Sequence, residues 1–356
     1  MCRRETVSKK KVVVGMSGGV DSSVAAYLLK EQGYQVVGVT MRVWQQDNIE
    51  QGISAETDAR RVAETLGIDH RVVSYEEQFR REVVDYFVGE YLSGRTPNPC
   101  NMCNRRIKWE SLIDVAKDIG AEYVATGHYA RVDRLPNGRL AICNSATATK
   151  DQTYALCNLT QEQLEYTIMP IGSYEKDAIR QMAANIGLDV ASKADSQDIC
   201  FIPDGDYAAF IRKHTGVEPS VGHFVDRQGN ILGTHKGITD YTIGQRKGLN
   251  LAMGHPVFVT GIDAKNNQVI IGESEELFTT RVVARDFNYM AVEKLQPGQM
   301  LMGKVRYAHK GDWCKVIEVT EDKVVVEFQV PVRAITPGQA LVLYDGEYVA
   351  GGGIIC

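Results

Sequence analysis

The run Lys11-Val12-Val13-Val14-Gly15-Met16-Ser17-Gly18-Gly19-Val20-Asp21-Ser22-Ser23 decides how this chain folds and what it can hold. Three consecutive valines read as a strand buried on both faces, and Val24, Ala25, Leu28 and Leu29 recur at helical spacing until Gly33 stops the helix. Between them, Gly18 and Gly19 let the backbone come close to an anion. The hydroxyls of Ser17, Ser22 and Ser23 offer hydrogen bonds, and the helix N-terminus adds free N–H groups at its positive end. Strand, glycine loop and helix in that order make a phosphate cradle. It is not of the Walker kind, which needs a Gly-Lys pair before Ser or Thr, and its spacing also fails the Gly-x-Gly-x-x-Gly dinucleotide pattern.

Outward from the loop, strand signals alternate with helical ones. Gln35 to Met41 and Arg71-Val72-Val73 read as buried strands, separated by a helix with Ala59, Val62, Ala63 and Leu66 on one face. A long helical segment from Glu76 to Leu92 follows, then a loop rich in Gly, Pro and Asn from Gly94 to Asn101, a helix ending near Gly120, and the strand Tyr123-Val124-Ala125. This alternation predicts an α/β fold with a doubly wound parallel sheet, whose ligand sits where the loops at Met16 to Asp21, Met41 and Gly127-His128 converge. Beyond about residue 210, short β-branched runs separated by turn signals such as Asp226 to Asn230 and Asp345-Gly346 predict all-β structure. The expected domains are 1–210, a catalytic α/β domain; 211–277, a small β-rich domain; and 278–356, a β-barrel.

At 356 residues the chain exceeds a single ordinary core. No apolar run approaches the ~20 residues of a membrane span, and the start Met1-Cys2-Arg3-Arg4-Glu5 does not read as a signal peptide, so a cytoplasmic protein without a membrane partner is expected. A net charge of −5 argues against a uniformly basic surface but leaves room for a local basic stripe. The 8 cysteines are scattered without a secreted disulfide framework, and most are expected to be buried thiols. Two stand out. Cys103 lies beside Arg105 and Arg106 where the Pro97-Asn98-Pro99 loop runs into a helix, an environment that lowers a thiol pKa and makes the residue a nucleophile candidate. Cys200 sits in Ile199-Cys200-Phe201-Ile202, where a polar loop turns apolar. The histidines show no metal-ligand spacing, and no metal site is assigned to protein side chains.

The loop resembles the SGGxDS loop of the ATP-pyrophosphatase (PP-loop) superfamily, and the chain as a whole is similar to one family within it, the tRNA 2-thiouridylases. The resemblance is carried by the following segments, in this order: Gly15 to Ser22; Thr96-Pro97-Asn98-Pro99 with Cys103-Asn104; Ala125-Thr126-Gly127-His128-Tyr129; Lys150-Asp151-Gln152-Thr153-Tyr154; Ile199-Cys200-Phe201-Ile202; and Gly244-Gln245-Arg246-Lys247-Gly248. It implies ATP-dependent adenylation of the C2 oxygen of the wobble uridine in tRNAs for Lys, Glu and Gln, followed by sulfur transfer from a cysteine persulfide.

By the same resemblance, ATP is bound by Gly15, Met16, Ser17, Gly18, Gly19, Val20, Asp21 and Ser22, with Met41 and Gly127, and Asp21 helps place Mg²⁺. Cys200 carries the persulfide and Cys103 is the catalytic nucleophile. Asn98, Pro99 and Cys100 lie beside the target base, and His128, Lys150, Asp151, Gln152, Arg306, Tyr307 and Gln339 contact tRNA. The partners implied are tRNA and a sulfur-relay protein or cysteine desulfurase, with the chain a monomer. One departure matters: many relatives have Asp where this chain has Cys100, which creates Cys-x-x-Cys with Cys103. Cys100, Cys103 and Cys200 then form an alternative iron–sulfur ligand set, and the pair could instead join a zinc site or form a resolving disulfide. The persulfide route is preferred because it needs Cys103 and Cys200 free. The nearest competing readings are an ATP-pyrophosphatase that transfers nitrogen and a nucleotide-responsive RNA-binding or sulfur-carrier protein.

Overall fold

A computed structural model describes residues 9–44, 49–192 and 199–356. The chain packs as two units. The first is drawn from the described residues within Met1–Glu82 and Met102–Ser196, the second from Val83–Asn101 and those within Gln197–Cys356.

The first unit is built on a parallel sheet. Strands β1 (Lys11–Gly15), β2 (Gln35–Arg42), β3 (Asp69–Ser74) and β4 (Tyr123–Ala125) are followed by a hairpin of β5 (Arg131–Arg134) and β6 (Leu140–Cys143) and by the short β7 (Thr167–Ile168). The sheet order is β3-β2-β1-β4-β7, with Val13 in register with Val37 on one side and Val124 on the other. Strand β1 is central because Val12, Val13 and Val14 are completely buried, as a strand covered on both faces requires. The chain winds away from β1 in one direction through β2 and β3, then returns to its other side as β4. The gap between the carboxyl ends of β1 and β4 is therefore a switch point, where such sheets bind ligands.

Helices α1 (Val20–Glu31), α2 (Ile49–Leu66), α3 (Glu76–Phe79), α4 (Asp85–Leu92), α5 (Pro99–Cys103), α6 (Glu110–Ile119), α7 (Gln161–Glu165), α8 (Lys176–Asn185) and α9 (Tyr207–Thr215) complete the order. The expected helix from Glu76 to Leu92 is interrupted by a π-helical turn, Arg80–Val84, and a second such turn, Asn104–Trp109, joins α5 to α6. Gly120 ends α6 in the left-handed conformation. Helix α9 carries helical structure past residue 210, because the Asp206 side chain caps it by accepting from the Ala209 N–H (2.9 Å) and only Gly216 stops it.

The second unit is mainly β. Strands β8 (Gly222–Val225), β9 (Ile231–His235), β10 (Phe258–Asp263) and β11 (Gln268–Gly272) form a sheet in the order β10-β11-β8-β9 over a core that includes Phe224, Tyr241, Val259 and Ile271. Strands β12 (Phe278–Tyr289), β13 (Met300–Lys304), β14 (Asp312–Val319), β15 (Lys323–Arg333), β16 (Ala340–Asp345) and β17 (Tyr348–Ile355) pair as β12-β15-β14-β13-β16-β17, and β12 pairs again with β17 to close a six-stranded barrel. The final glycines make closure possible: a Cβ on Gly351 would stand 2.4 Å from the Asn288 carbonyl oxygen, and one on Gly353 2.7 Å from that of Arg285.

Candidate active site

The loop from Met16 to Gly19 is held from both sides. Met16 N–H donates to the Val39 carbonyl (2.8 Å), and the buried Thr40 hydroxyl donates to the Met16 carbonyl (2.8 Å). Since that hydroxyl has spent its one proton, it accepts from Nε2–H of His70 at 2.9 Å. Burial lowers the His70 pKa, so its imidazole stays neutral around pH 7. The Met16 side chain lies over Gly38, where a Cβ would come within 2.4 Å of its sulfur. Gly18 takes φ +69°, and a Cβ there would stand 2.4 Å from the Ala55 carbonyl oxygen, so the turn needs glycine for conformation and space together.

Two of the serines also bond within the loop itself. Ser22 accepts from Ser17 N–H (3.2 Å) and donates to the Gly19 carbonyl (3.2 Å), while Ser23 donates to the same carbonyl (2.7 Å). These two hydroxyls brace the loop from within, as serines near helix starts do, and leave its backbone amides as the donors for an anion. Gly19 caps α1 with no side-chain cap over those amides. From the other side, Gly127 presses against the first turn of α1 so closely that a Cβ would lie 2.5 Å from the Ser22 nitrogen and 2.6 Å from the Asp21 carbonyl carbon. The sequence-predicted residues Gly15 to Ser22 and Gly127 are thus assembled at one end of the sheet, with Met41 near the end of β2.

Asp21 is the charged centre of this assembly. Its Oδ1 accepts from the Tyr129 hydroxyl (2.7 Å), and both of its oxygens accept from Lys176 Nζ (2.8 and 2.9 Å). The loop suits magnesium triphosphate: it offers backbone amides at a helix start and, in Asp21, a hard carboxylate ligand with a 30% exposed side chain. Among the described residues, no cluster of three or more His, Cys, Asp or Glu side chains is arranged as a metal site.

The loop after β4 carries the next candidates. The Thr126 hydroxyl lies 2.8 Å from His128 Nδ1, and the His128 ring packs on buried Trp109, 5.6 Å between centroids. Burial, with the Lys108 ammonium as a smaller cause, drives the His128 pKa well below its ordinary value, so the ring is neutral. Gln152 receives the Tyr129 N–H on its side-chain oxygen (2.8 Å), and Asp151 accepts from Ser145 and Thr153 N–H (3.0 and 3.1 Å). Both shape the loop that carries Lys150.

The thiols separate by environment. Cys143, Cys157 and Cys314 are buried, and burial pushes Cys157 and Cys314 up to about 12, which makes them unreactive. Cys100 and Cys200 are exposed and Cys103 half-buried. Helix α5 starts at Pro99, four residues before Cys103, with Asn98 Oδ1 accepting from Cys100 N–H (3.1 Å). Arg106 lies 3.7 Å from Glu110, and Asn104 is anchored through its Nδ2 to the Ala155 carbonyl (2.8 Å). Cys103 belongs to the first unit and Cys200 to the second. Cys200 rides on a turn fixed by its neighbour Phe201, whose buried ring meets Phe87 edge-on at 5.5 Å and Phe210 at 5.3 Å.

In the barrel, Arg306 donates to the Arg333 carbonyl (2.8 Å) and Tyr307 is 52% exposed, the state of a side chain able to meet a base. Gln339 has a different engagement. Its amide donates to the Thr96 carbonyl (2.9 Å), Thr96 N–H donates to the Pro337 carbonyl (2.8 Å), and a Cβ on Gly338 would stand 2.9 Å from the Thr96 backbone. Pro337 to Gln339 thereby clamp the loop that leads to Asn98, Pro99 and Cys100. The buried Glu90 adds a two-bond ion pair to Arg95 (2.8 and 2.5 Å) just before it.

Three family models match in succession: a tRNA methyl transferase HUP domain over residues 10–204, a tRNA methyl transferase PRC-barrel domain over 208–273, and an aminomethyltransferase beta-barrel domain over 279–355. The chain is 56% identical over 354 residues to the tRNA-specific 2-thiouridylase MnmA of Lachnoclostridium phytofermentans, covering 97% of this chain and 99% of that one. It belongs to the MnmA family. The MnmA proteins of Clostridioides difficile and Clostridium perfringens are 50% and 51% identical, covering 97% and 98% of this chain and 98% and 99% of theirs.

Reading the sequence missed three side chains of this site. Lys176 lies 155 positions from Asp21, in a helix with no motif of its own. Tyr129 follows Thr126-Gly127-His128 with no sequence signal of its own, and Thr40 reads as one more β-branched strand residue. Only the spacing of Thr126 to Tyr129 behind β4 could have pointed to Tyr129.

Proposed function

We propose that this chain is an ATP-dependent tRNA-uridine 2-sulfurtransferase. The observation that carries the reading is the near full-length relationship to proteins named tRNA-specific 2-thiouridylase. It is supported by a phosphate loop bearing Asp21 and by an exposed thiol at Cys200.

In this reading the C2 oxygen of the wobble uridine of tRNAs for Lys, Glu and Gln attacks the α-phosphate of ATP. Pyrophosphate leaves, and the poorly leaving oxygen becomes part of AMP. Mg²⁺, when bound, supplies neutralising charge at the phosphates. The loop amides after Ser17, from Gly18 to Val20, hold the phosphates, Asp21 would serve as the carboxylate ligand of the metal, and Met41 and Gly127 border the adenine nucleotide.

A donor protein, a sulfur-relay protein or cysteine desulfurase, loads Cys200 as a persulfide. The Cys103 thiolate attacks the inner sulfur, hydrosulfide departs to displace AMP at C2, and the Cys103–Cys200 disulfide left behind is reduced by an external thiol before the next turnover. In the direct variant the outer persulfide sulfur attacks C2 and displaces AMP, and the Cys103 thiolate then attacks the Cys200 sulfur, breaking the S–S bond to leave sulfur on C2 and the same Cys103–Cys200 disulfide. The persulfide route needs Cys103 and Cys200 free, and we propose it in preference to an iron–sulfur cluster on Cys100, Cys103 and Cys200.

Asn98, Pro99 and Cys100 meet the target base, and His128, Lys150, Asp151 and Gln152 meet tRNA near the catalytic domain, 1–210. Arg306, Tyr307 and Gln339 in the 278–356 barrel also meet tRNA, as stacking aromatics, amides and cations suit unpaired RNA. A monomer in the cytoplasm is proposed. No helix among the described residues is long and apolar enough to cross a membrane.

The test is pyrophosphate release measured with and without unmodified tRNA. Release requiring both ATP and tRNA is expected, and release independent of tRNA would contradict the reading.

A further inference from the structure

The connection between β13 and β14 is flanked by two large aromatic side chains that the barrel does not bury. Cys314 and Val316 point into the barrel core, so the alternation of β14 turns Trp313 outward, where it is 50% exposed with Met302 directly across the ladder. Tyr307, at the other end of the same connection, is 52% exposed. From Arg306 to Lys315 the cations are Arg306, Lys310 and Lys315, and Asp312 is the sole carboxylate. Lys315 has Glu327 beside it in the ladder, whereas the exposed Lys310 sits on the loop itself.

The loop is pinned by its own histidine. His309 N–H donates to the Arg306 carbonyl (3.1 Å), its Nδ1 accepts from Val305 N–H (3.3 Å), and its Nε2–H donates to Asp312 (3.1 Å). The backbone donor at Nδ1 assigns the proton to Nε2, so one neutral ring serves both ends of the turn and takes up the segment's carboxylate. Arg306 adds its bond to the Arg333 carbonyl, and Gly311, at φ +98°, lies so close to Met302 that a Cβ would stand 3.0 Å from its Cγ. Single exposed apolar side chains are ordinary, but two half-exposed aromatics framing a lysine on one pinned loop give a surface that is flat, apolar and positive together. That combination suits bases joined by phosphates, because a ring face stacks on any base and an ammonium takes phosphate. Fixing the loop beforehand lowers the ordering cost of binding.

We propose that Trp313 is a base-stacking platform for tRNA: an unpaired nucleotide lies on its indole, and Lys310 holds phosphate of the same RNA segment. The inference rests on the tRNA-directed function proposed above, and it adds a residue that lies outside the segments carrying the family resemblance. The indole reads no base identity, since every base offers a ring face. It contributes affinity and takes no part in adenylation or sulfur transfer. His309 and Asp312 are positioning residues, which hold the turn between Tyr307 and Trp313 in one shape before RNA arrives.

The test is equilibrium binding of unmodified tRNA to the full chain, beside steady-state kinetics with Mg-ATP and a persulfide donor. Trp313→Ala is expected to weaken tRNA binding by about tenfold and to raise KM for tRNA by a like factor at unchanged kcat, whereas Trp313→Phe, which keeps a ring face, stays within about threefold of the unaltered protein. Lys310→Gln is expected to lower the slope of log affinity against log salt by about one. Bound tRNA is also expected to quench tryptophan emission, and most of that quenching to vanish in Trp313→Phe, which retains only Trp44 and Trp109. The emission measurement keeps the test decisive if Trp313→Ala does not fold. Unchanged tRNA affinity in Trp313→Ala, undiminished quenching in Trp313→Phe, or an unchanged salt slope in Lys310→Gln would each overturn the inference while leaving the enzymatic reading standing. Unchanged tRNA affinity with a raised requirement for the persulfide donor would overturn it too, by giving this face to a protein partner. Absence of tRNA binding by the unaltered protein would overturn the proposed function and the inference with it.

Discussion

At the scale of single residues, the site depends on backbone approaches that tolerate no added atoms. Gly127→Ala would place a methyl group 2.5 Å from the Ser22 nitrogen, and the nearest atoms are all backbone of α1, which leaves no flexible side chain to displace. Overpacking of this kind costs about 1–3 kcal/mol, and here the displaced element is the helix start that presents the phosphate-binding amides. The expected outcome is a lower melting temperature together with a loss of ATP affinity, read by thermal denaturation and equilibrium binding. Wild-type ATP affinity in this variant would show that the approach of Gly127 to α1 does not shape the loop. Tyr129→Phe removes one donor to Asp21 while leaving Lys176 in place. We expect a stability loss of about 0.5–1.5 kcal/mol by chemical denaturation, and no loss would mean that the 2.7 Å hydrogen bond is replaced by solvent.

At the scale of elements, the segment from Thr96 to Asn101 is positioned by the barrel's Pro337-Gly338-Gln339 turn. Gln339→Ala removes the amide donor to the Thr96 carbonyl. Faster amide hydrogen exchange across residues 94–101 is expected, with exchange in the parallel sheet unchanged; protection in 94–101 equal to wild type would count against the clamp. The sequence shows the phosphate loop because strand, glycines and helix are contiguous, and each has a local signature. It also shows β1 to β4 through their apolar runs and the all-β C-terminal part through its short β-branched runs and turn signals. Strand β7 was not legible, since two residues carry no period. The hairpin β5–β6 was hidden among the polar positions Arg131, Asp133 and Arg134, and the clamp was hidden because Gln339 and Thr96 lie 243 positions apart. Lys176 stayed invisible for the same reason: an ordinary amphipathic helix gives no sign of which neighbour its first side chain will meet. Cys103 was legible as a nucleophile candidate from the arginines and helix start beside it, whereas the role of Cys200 came only from the family resemblance, because burial, which distinguishes both from Cys157 and Cys314, is a tertiary property.

At the scale of the whole molecule, burial lowers the pKa of His70, His128, His235 and His309. The unfolded chain takes up protons on these rings as pH falls through about 6.5, whereas the folded chain resists doing so until its lower pKa values are reached. Protons therefore bind the unfolded state preferentially, and stability falls as pH drops below 6.5. Thermal denaturation is expected to give a lower midpoint at pH 5.5 than at pH 7.5, and an equal or higher midpoint at pH 5.5 would contradict this account of the histidines.

The central claim is that this fold couples adenylation at the Gly15 to Ser22 loop to sulfur transfer from Cys200. The most direct measurement is mass spectrometry of nucleosides from unthiolated tRNA incubated with the protein, Mg-ATP, a persulfide donor and a reductant, beside a Cys200→Ser control. The account predicts 2-thiouridine with the intact protein and none with the control. Pyrophosphate release without any thiolated nucleoside, or equal thiolation by Cys200→Ser, would contradict it.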